Sequence, residues 1–507
     1  MSGLAKRLAS QTAIYGISSI VGRVLNFLLT PLYTGRFAPA AFGIITGLFA
    51  YMSFLNVVFT YGMETTYLRF ANRPGTDRRD LYDRVLTLLL LSSVVLTALL
   101  IALAPTLMRL LGIPPGSERY AVWLALILGL DAVAAIPFAR LRLENKAVKF
   151  ASIRMANILL NVGLNLFFLV LCPDVLAGKY LTGLAPLLRP LYDPNIGVGY
   201  VFLSNLAASA FTLLLLGREL LDFRPRLGVT YLGPLWRYAY PIMLMGLAGM
   251  VNETLDRVLL ARWLPEGFYP GRSSLAAVGI YGACYKLAIL MSLVIQAFKY
   301  AAEPFFFAQS EDKNSPRTFA LVLKWFTISC TILFVAVSVN IDLIAPRFLT
   351  SPEYLEGLPV VPVLLMANLF LGVYYNLSVW FKLTDKTYFG TYISFGGAIL
   401  TIALNFALIP LLGYMGSAIA TLVCYATMAL VCWWLGERHF PVPYPMSRLL
   451  LWLLVAVAVV AGSWALPPLG VWTTHVVHFL ITLAFVATVW LVERPERAFR
   501  RPQVKAV

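Results

Sequence analysis

Charge is scarce in this chain. Only 13% of its 507 residues are Asp, Glu, Lys or Arg, about half the share of a soluble globular protein. Histidine is nearly absent: His439, His475 and His478 are the whole set. His475 and His478 lie three apart, but no third ligand stands near them in sequence, so they make no metal site. The five cysteines (Cys172, Cys284, Cys330, Cys424 and Cys432) are odd in number, lie in or beside apolar segments and form no CxxC. They read as packing residues rather than disulfides or ligands. Walker and GxSxG motifs are missing. So is any linker, low-complexity tract or domain-sized polar insertion.

Apolar sequence is what remains: 60% of residues are hydrophobic and the mean hydropathy is +0.79. Apolar runs of about 20 residues mark about fourteen membrane-spanning helices. They fall at 11–34, 42–66, 84–111, 119–141, 148–171, 196–217 and 234–263, then at 275–300, 319–343, 359–381, 387–410, 414–436, 447–466 and 471–492. The fold class is an all-α polytopic membrane protein. Between spans the longest stretch on the outer side is Pro173 to Asn195, whose four prolines suggest an ordered cap.

The net charge of +16 could point to nucleic acid, but its placement points to topology. Of the 40 Lys and Arg residues, 28 lie on alternate segments beginning with the N-terminus, 8 on the other side and 4 within spans. By the positive-inside rule both termini are cytoplasmic, and the basic links face anionic lipid headgroups. Lys6 and Arg7 precede a first apolar run without a small-residue cleavage site, which reads as a retained helix.

The chain also repeats. Ala41-Phe42-Gly43-Ile44 matches Ala277-Val278-Gly279-Ile280, Arg142-Leu143-Glu144-Asn145-Lys146 matches Lys382-Leu383-Thr384-Asp385-Lys386, and Asn165-Leu166 matches Asn405-Phe406. The register is nearly constant, so each half holds six helices. An even number returns the chain to its starting side, which relates the halves by a pseudo-two-fold axis along the membrane normal. The expected units are residues 1–228 and 229–440 as two six-helix lobes, and 441–507 as an accessory helix pair with a basic tail. A cleft between lobes is the expected transport site. Gly43 and Gly47 form a GxxxG pattern, and helix seven, with Pro241, Gly246 and Gly249, is the candidate for bending.

Helix seven also carries Asn252-Glu253-Thr254-Leu255-Asp256-Arg257 at its middle. Each charge at that depth costs about 2.5–3.5 kcal/mol on insertion scales. The face must therefore look at protein or at a water-filled cavity. Glu253 and Arg257, four apart, can pair, leaving one acid over. Elsewhere at membrane depth lie Arg23, Asp131, Arg154 and Lys286. Two readings stand for the cations Arg23, Arg154, Arg257 and Lys286: they converge on a cleft suited to a phosphate-bearing substrate, or each pairs with a local acid. Asp131, Glu253 and Asp256 are candidates for a coupling Na⁺ or proton site, again with structural pairing as the alternative. Tyr61, Tyr281, Tyr285, Tyr374, Tyr375 and Trp380 are candidates for stacking on sugar rings, although interfacial belts account for most membrane aromatics.

Short motifs carry a resemblance. Gln11-Thr12-Ala13-Ile14-Tyr15-Gly16, Gly22-Arg23 and Pro31-Leu32-Tyr33-Thr34 resemble the opening helix of bacterial polysaccharide flippases of the Wzx type, which serve O-antigen and related lipid-linked oligosaccharides. Tyr61-Gly62-Met63-Glu64-Thr65 through Arg69-Phe70 resembles the end of their second helix. Asn195-Ile196-Gly197-Val198-Gly199-Tyr200 and Gly413-Tyr414-Met415-Gly416-Ser417-Ala418 resemble the starts of the sixth and twelfth. The resemblance implies membership of the multidrug/oligosaccharidyl-lipid/polysaccharide exporter superfamily and two lobes opening alternately to either side. It further implies a bacterial inner-membrane location and a polyprenyl-pyrophosphate-linked oligosaccharide carried to the outer leaflet. Arg23 and Lys286 are implied as lipid-pyrophosphate contacts, and other polysaccharide-assembly proteins as partners. Lipid II flippases tend to have further arginines in their first two helices, where this chain has Glu64 and Arg69.

The first reading is thus a lipid-linked oligosaccharide flippase without cofactor, with a cation-coupled multidrug exporter of the same fold and a lipid II flippase as alternatives. A membrane glycosyltransferase or polymerase is a weaker reading. The link Gly35 to Ala41 has no acidic residue, and no large outer loop is present. A non-transporting scaffold is the remaining class.

Overall fold

A computed structural model describes residues 20–228, 232–309, 315–467 and 470–493. The start of the first span and the basic tail lie outside this range. The described chain is helical throughout, as the apolar runs require. Eleven helices are long and apolar enough to cross a membrane: α2 (Pro39–Ala71), α3 (Arg78–Leu110), α4 (Glu118–Leu143), α5 (Ala147–Leu176), α8 (from Ser274), α9 (Ser315–Val339), α10 (Val360–Leu383), α11 (Tyr388–Leu412), α12 (Tyr414–His439), α13 (Met446–Trp464) and α14 (Val471–Glu493). Three more complete the series. The first, α1, is described from residue 20 and ends with Thr30–Arg36. The sixth, α6 (Gly199–Leu215), has 17 residues, and α7 (Leu232–Trp263) interrupts its apolar length with the central charges.

Local chemistry sets the helix ends. Asp77 caps α3 by accepting from the amides of Arg79 and Asp80 at 2.9 and 3.3 Å. Helices α4 and α10 end alike: Asn145 and Asp385 both adopt left-handed backbone, with φ of 56° and 57°. The next amides, of Lys146 and Lys386, donate to Leu141 O and Phe381 O, each at 2.8 Å. These are the paired positions of the internal repeat, so its register holds at atomic detail.

The N-terminal lobe gathers α1–α6 and the C-terminal lobe α7–α12. They meet along α2, which packs on α8 at one end and on α7 at the other. At the first seam the pseudo-two-fold relation is explicit. A Cβ on Gly43 would lie 1.8 Å from Leu275 O, and one on Gly279 would lie 1.9 Å from Pro39 O. Gly47, the second half of the GxxxG pattern, has nothing within 4 Å. Tyr354 Oη donating to Phe37 O at 2.7 Å and Thr350 Oγ1 to Pro31 O at 3.0 Å tie the lobes on this side.

The helix whose backbone breaks is α2. Helix α7 continues through Pro241, whereas α2 breaks at Tyr61 and Gly62, both left-handed. There Gly62 comes against Ala239 and Ile242 of α7. Residues 172–196 form four-to-five-residue and shorter helices, the expected cap. The accessory pair α13–α14 packs on α9. Glu493 at the end of α14 is paired with Lys324 of α9 and accepts from Trp452 Nε1 at 2.8 Å. His475 and His478 both approach Asp342, at 3.6 and 3.2 Å, a partner far away in sequence that ties α14 to the C-terminal lobe. Among the described residues no cluster is arranged to hold a metal ion. All five cysteines are free and buried.

Candidate functional site: a cationic cavity between the lobes

A cavity of about 640 Å³ lies between the lobes, walled by α1, α2, α5 and α6 on one side and α7, α8, α10 and α12 on the other. Arg23, Arg257 and Lys286 line it, and so does Lys299. Glu253 is the one acid among the described lining residues. Arg23 projects into the open volume from α1. Neither it nor Lys286 has an ion pair or hydrogen bond among the described residues. These two cations outnumber the one lining acid, and in a volume walled by low-dielectric protein they set up a field that attracts anions.

Arg257 is held differently. Its Nη1 lies 3.5 Å from Asp256 Oδ1 and donates to Glu253 O at 2.8 Å, while its guanidinium carbon sits 4.0 Å above the Tyr285 ring. Tyr281 Oη donates to Asp256 Oδ2 at 2.6 Å. The pair on α7 is therefore Asp256–Arg257, not Glu253–Arg257. Asp256 is buried behind the wall, and Glu253 is the acid left over, facing the cavity. The adjacent pair forms because Tyr281 of α8 draws the Asp256 carboxylate away from solvent and Arg257 can fold back along its own helix.

The remaining candidates are elsewhere. Arg154 and Asp131 sit together within the N-terminal lobe: Arg154 lies 4.3 Å over the Phe138 ring, and Asp131 has Ser209 of α6 and Arg154 as its polar neighbours. Neither lines the cavity. Tyr61 stands at the break of α2, bonded to Ser92 at 3.1 Å and against Trp236. Tyr281 and Tyr374 are buried, and Trp380 stacks on His439. Of the aromatic candidates only Tyr285 and Tyr375 line the cavity, and each has a cation over its ring, Arg257 and Lys299 respectively. One face of each of these two rings is thus occupied by a charge.

The sequence reading passed over Lys299, placed at the very end of a span, and over a set of carboxamides. Asn26, Asn161, Asn205, Gln296 and Asn368 all line the cavity. The available signal was Asn157, Asn161 and Asn165, each one turn from the next along α5.

Fold and cavity define an integral membrane protein of two helical lobes around a cationic cavity. The chain is similar to the solved structure of the lipid II flippase MurJ in an inward closed conformation, at 12% identity and a TM-score of 0.68, over 94% of this chain and 99% of that one. It is also similar to a solved inward-facing multidrug resistance MATE family transporter, itself of the MOP superfamily (14% identity, TM-score 0.62, 85% and 95% covered). A third likeness is to the MATE multidrug transporter DinF-BH (18% identity, TM-score 0.59, 86% and 96% covered). Residues 36–177 match a family model described as polysaccharide biosynthesis protein. No curated protein matches the chain.

Proposed function

We propose that this protein is a flippase that moves a polyprenyl-pyrophosphate-linked oligosaccharide from the cytoplasmic to the outer leaflet for cell-surface polysaccharide assembly. The observation that carries this reading is the placement of Arg23 and Lys286, one from each lobe, in a single cavity without acidic partners. A pyrophosphate group suits that arrangement, because Arg offers a planar fork and Lys a compact charge to the same anion. The match of residues 36–177 to a polysaccharide biosynthesis model supports the same cargo class. We assign the basic links and both termini to the cytoplasm of a bacterial inner membrane. Of the acids considered for coupling to Na⁺ or H⁺, we assign Glu253, since it alone lines the cavity.

Alternating access then runs through the seams of α2. The α2–α8 seam at Gly43 and Gly279 closes the outer side, and its opening releases the cargo there. The cationic wall argues against a multidrug exporter for cations, and a lipid II flippase remains the second reading on the likeness to MurJ.

The test is transport in proteoliposomes. Labelled polyprenyl-pyrophosphate oligosaccharide is supplied in one leaflet and its arrival in the other is followed. Arg23→Ala and Lys286→Ala should each lower flux at least tenfold, about 1.4 kcal/mol, with insertion into the bilayer intact. Full flux in both variants, or transport of a cationic dye in place of the lipid, would overturn the reading.

A further inference from the structure

The two walls of the cavity differ in kind. Three of its four lining cations, Arg257, Lys286 and Lys299, stand on α7 and α8 of the C-terminal lobe, and so does Glu253. The N-terminal wall bears Arg23 as its one charge and, among neutral hydroxyl and apolar side chains, three carboxamides: Asn26 from α1, Asn161 from α5 and Asn205 from α6.

These amides also differ from the C-terminal one in what they have left to bind. Asn368 of α10 has both ends engaged, its Oδ1 accepting from Ser292 Oγ at 3.0 Å and its Nδ2 donating to Leu364 O at 2.9 Å. Asn26 and Asn205 have no hydrogen bond among the described residues. Asn161 is oriented by a relay: Tyr33 Oη donates to Asn165 Oδ1 at 2.9 Å, and Asn165 Nδ2 donates to Asn161 Oδ1 at 3.0 Å. With its oxygen engaged, Asn161 has its amide N–H groups left for an acceptor in the cavity. From the opposite wall Gln296 adds an Oε1 that is buried without a partner. Unfilled carboxamides in such a volume require water or a ligand rich in hydroxyl, carbonyl and amide groups.

We propose that this amide wall is a glycan subsite, and that it reads an uncharged sugar next to the pyrophosphate. The inference rests on the flippase reading above and deepens it. Asn26, Asn161 and Asn205 hold the ring's hydroxyl or acetamido groups while the pyrophosphate faces Arg23 and Lys286. A carboxamide donates and accepts at once, which matches a sugar hydroxyl that does the same. A uronic acid gains no cation from the wall beyond Arg23, so the sugar it selects is neutral. Tyr33 and Asn165 are positioning residues that act through Asn161.

The experiment compares two probes on the full-length protein in lipid nanodiscs: bare polyprenyl pyrophosphate, and the same lipid bearing a neutral N-acetylated disaccharide. The unsubstituted protein should bind the glycosylated probe at least tenfold more tightly. Asn161→Ala combined with Asn205→Ala should erase that preference while changing affinity for the bare lipid less than twofold. Tyr33→Phe, a milder change that keeps the ring, should shrink the preference about threefold through loss of the relay alone. Equal binding of both probes by the unsubstituted protein overturns the subsite, and so does equal weakening of both by the amide variants. If Lys286→Ala leaves affinity for the bare lipid unchanged, the pyrophosphate reading itself fails, and that result is separate from anything the amides do.

Discussion

The two lobes use one scaffold to opposite ends. Asn165 of α5 and Asn405 of α11 are repeat partners, and each donates Nδ2 to the carbonyl one turn back, Asn161 O and Thr401 O, both at 2.8 Å. In the N-terminal lobe the residue one turn back is Asn161, whose side chain opens onto the cavity. In the C-terminal lobe it is Thr401, whose hydroxyl donates to Asn252 Oδ1 at 3.1 Å. Asn252 donates in turn to Ser394 O at 3.1 Å, and its own carbonyl accepts from Tyr425 Oη at 3.0 Å. That network closes α7, α11 and α12 on one another and leaves charge as what α7 and α8 show the cavity. Duplication supplied the frame, and divergence at a few interior positions made one wall neutral and hydrogen-bonding and the other charged.

The largest effect should come from the seam that relates the lobes. Gly43→Leu or Gly279→Leu drives a side chain into a backbone carbonyl less than 2 Å away, and no rotamer avoids the first carbon. Overpacking of this kind costs about 1–3 kcal/mol even against side chains, and backbone yields less. Flux should fall more than tenfold, with spin-label distances across α2 and α8 lengthened. Gly47→Ala, where a Cβ meets nothing, should be neutral. Equal behaviour of Gly43 and Gly47 variants would remove the seam from the mechanism.

A smaller effect separates buried charge from cavity-facing charge on α7. Asp256→Ala leaves Arg257 buried without its carboxylate, which costs about 3–5 kcal/mol, and thermal unfolding should shift accordingly. Glu253→Ala removes an acid with no hydrogen-bonded partner and should leave the melting temperature within a degree or two. A large loss of stability in both would mean that Glu253 is also a structural ion.

The smallest effect sharpens the lobe comparison itself. Asn165→Ala and Asn405→Ala each remove a helix-internal bond worth about 1 kcal/mol, and Asn165→Ala should destabilise more because it also removes the bonds to Tyr33 and Asn161. Only Asn165→Ala should also change flux, about threefold, because it releases Asn161. Equal transport by the two variants would reduce the asymmetry of the walls to decoration.

Much of this architecture was legible beforehand. Length of apolar runs dictates spanning helices because backbone polar groups in lipid must be satisfied within the segment. Repeated turn chemistry also announced the duplication: Asn145 and Asp385 sit where a helix must end in left-handed backbone, which Asn and Asp tolerate better than most residues. The site was legible in part. Arg23, Arg257 and Lys286 stood out as charges at membrane depth, and all three reach the cavity. Arg154 stood out equally and does not, since a guanidinium can find its partners inside one lobe, here Asp131 and Phe138. Tyr61 and Tyr281 lie off the cavity, and no sequence signal shows this, because an aromatic ring carries no sign of which way its helix is turned.

Residue order alone therefore determined that this chain spans a membrane many times, in two related halves, with costly charges at its centre. Those properties are additive along the chain, set by transfer free energies and local backbone preference. Which charges face one another, which tyrosines are capped by cations and which amides stay open were decided only when α1, α2, α5 and α6 met α7, α8, α10 and α12. Helix rotation of a fraction of a turn moves a side chain from lipid to cavity, and that rotation is fixed by packing between segments distant in sequence.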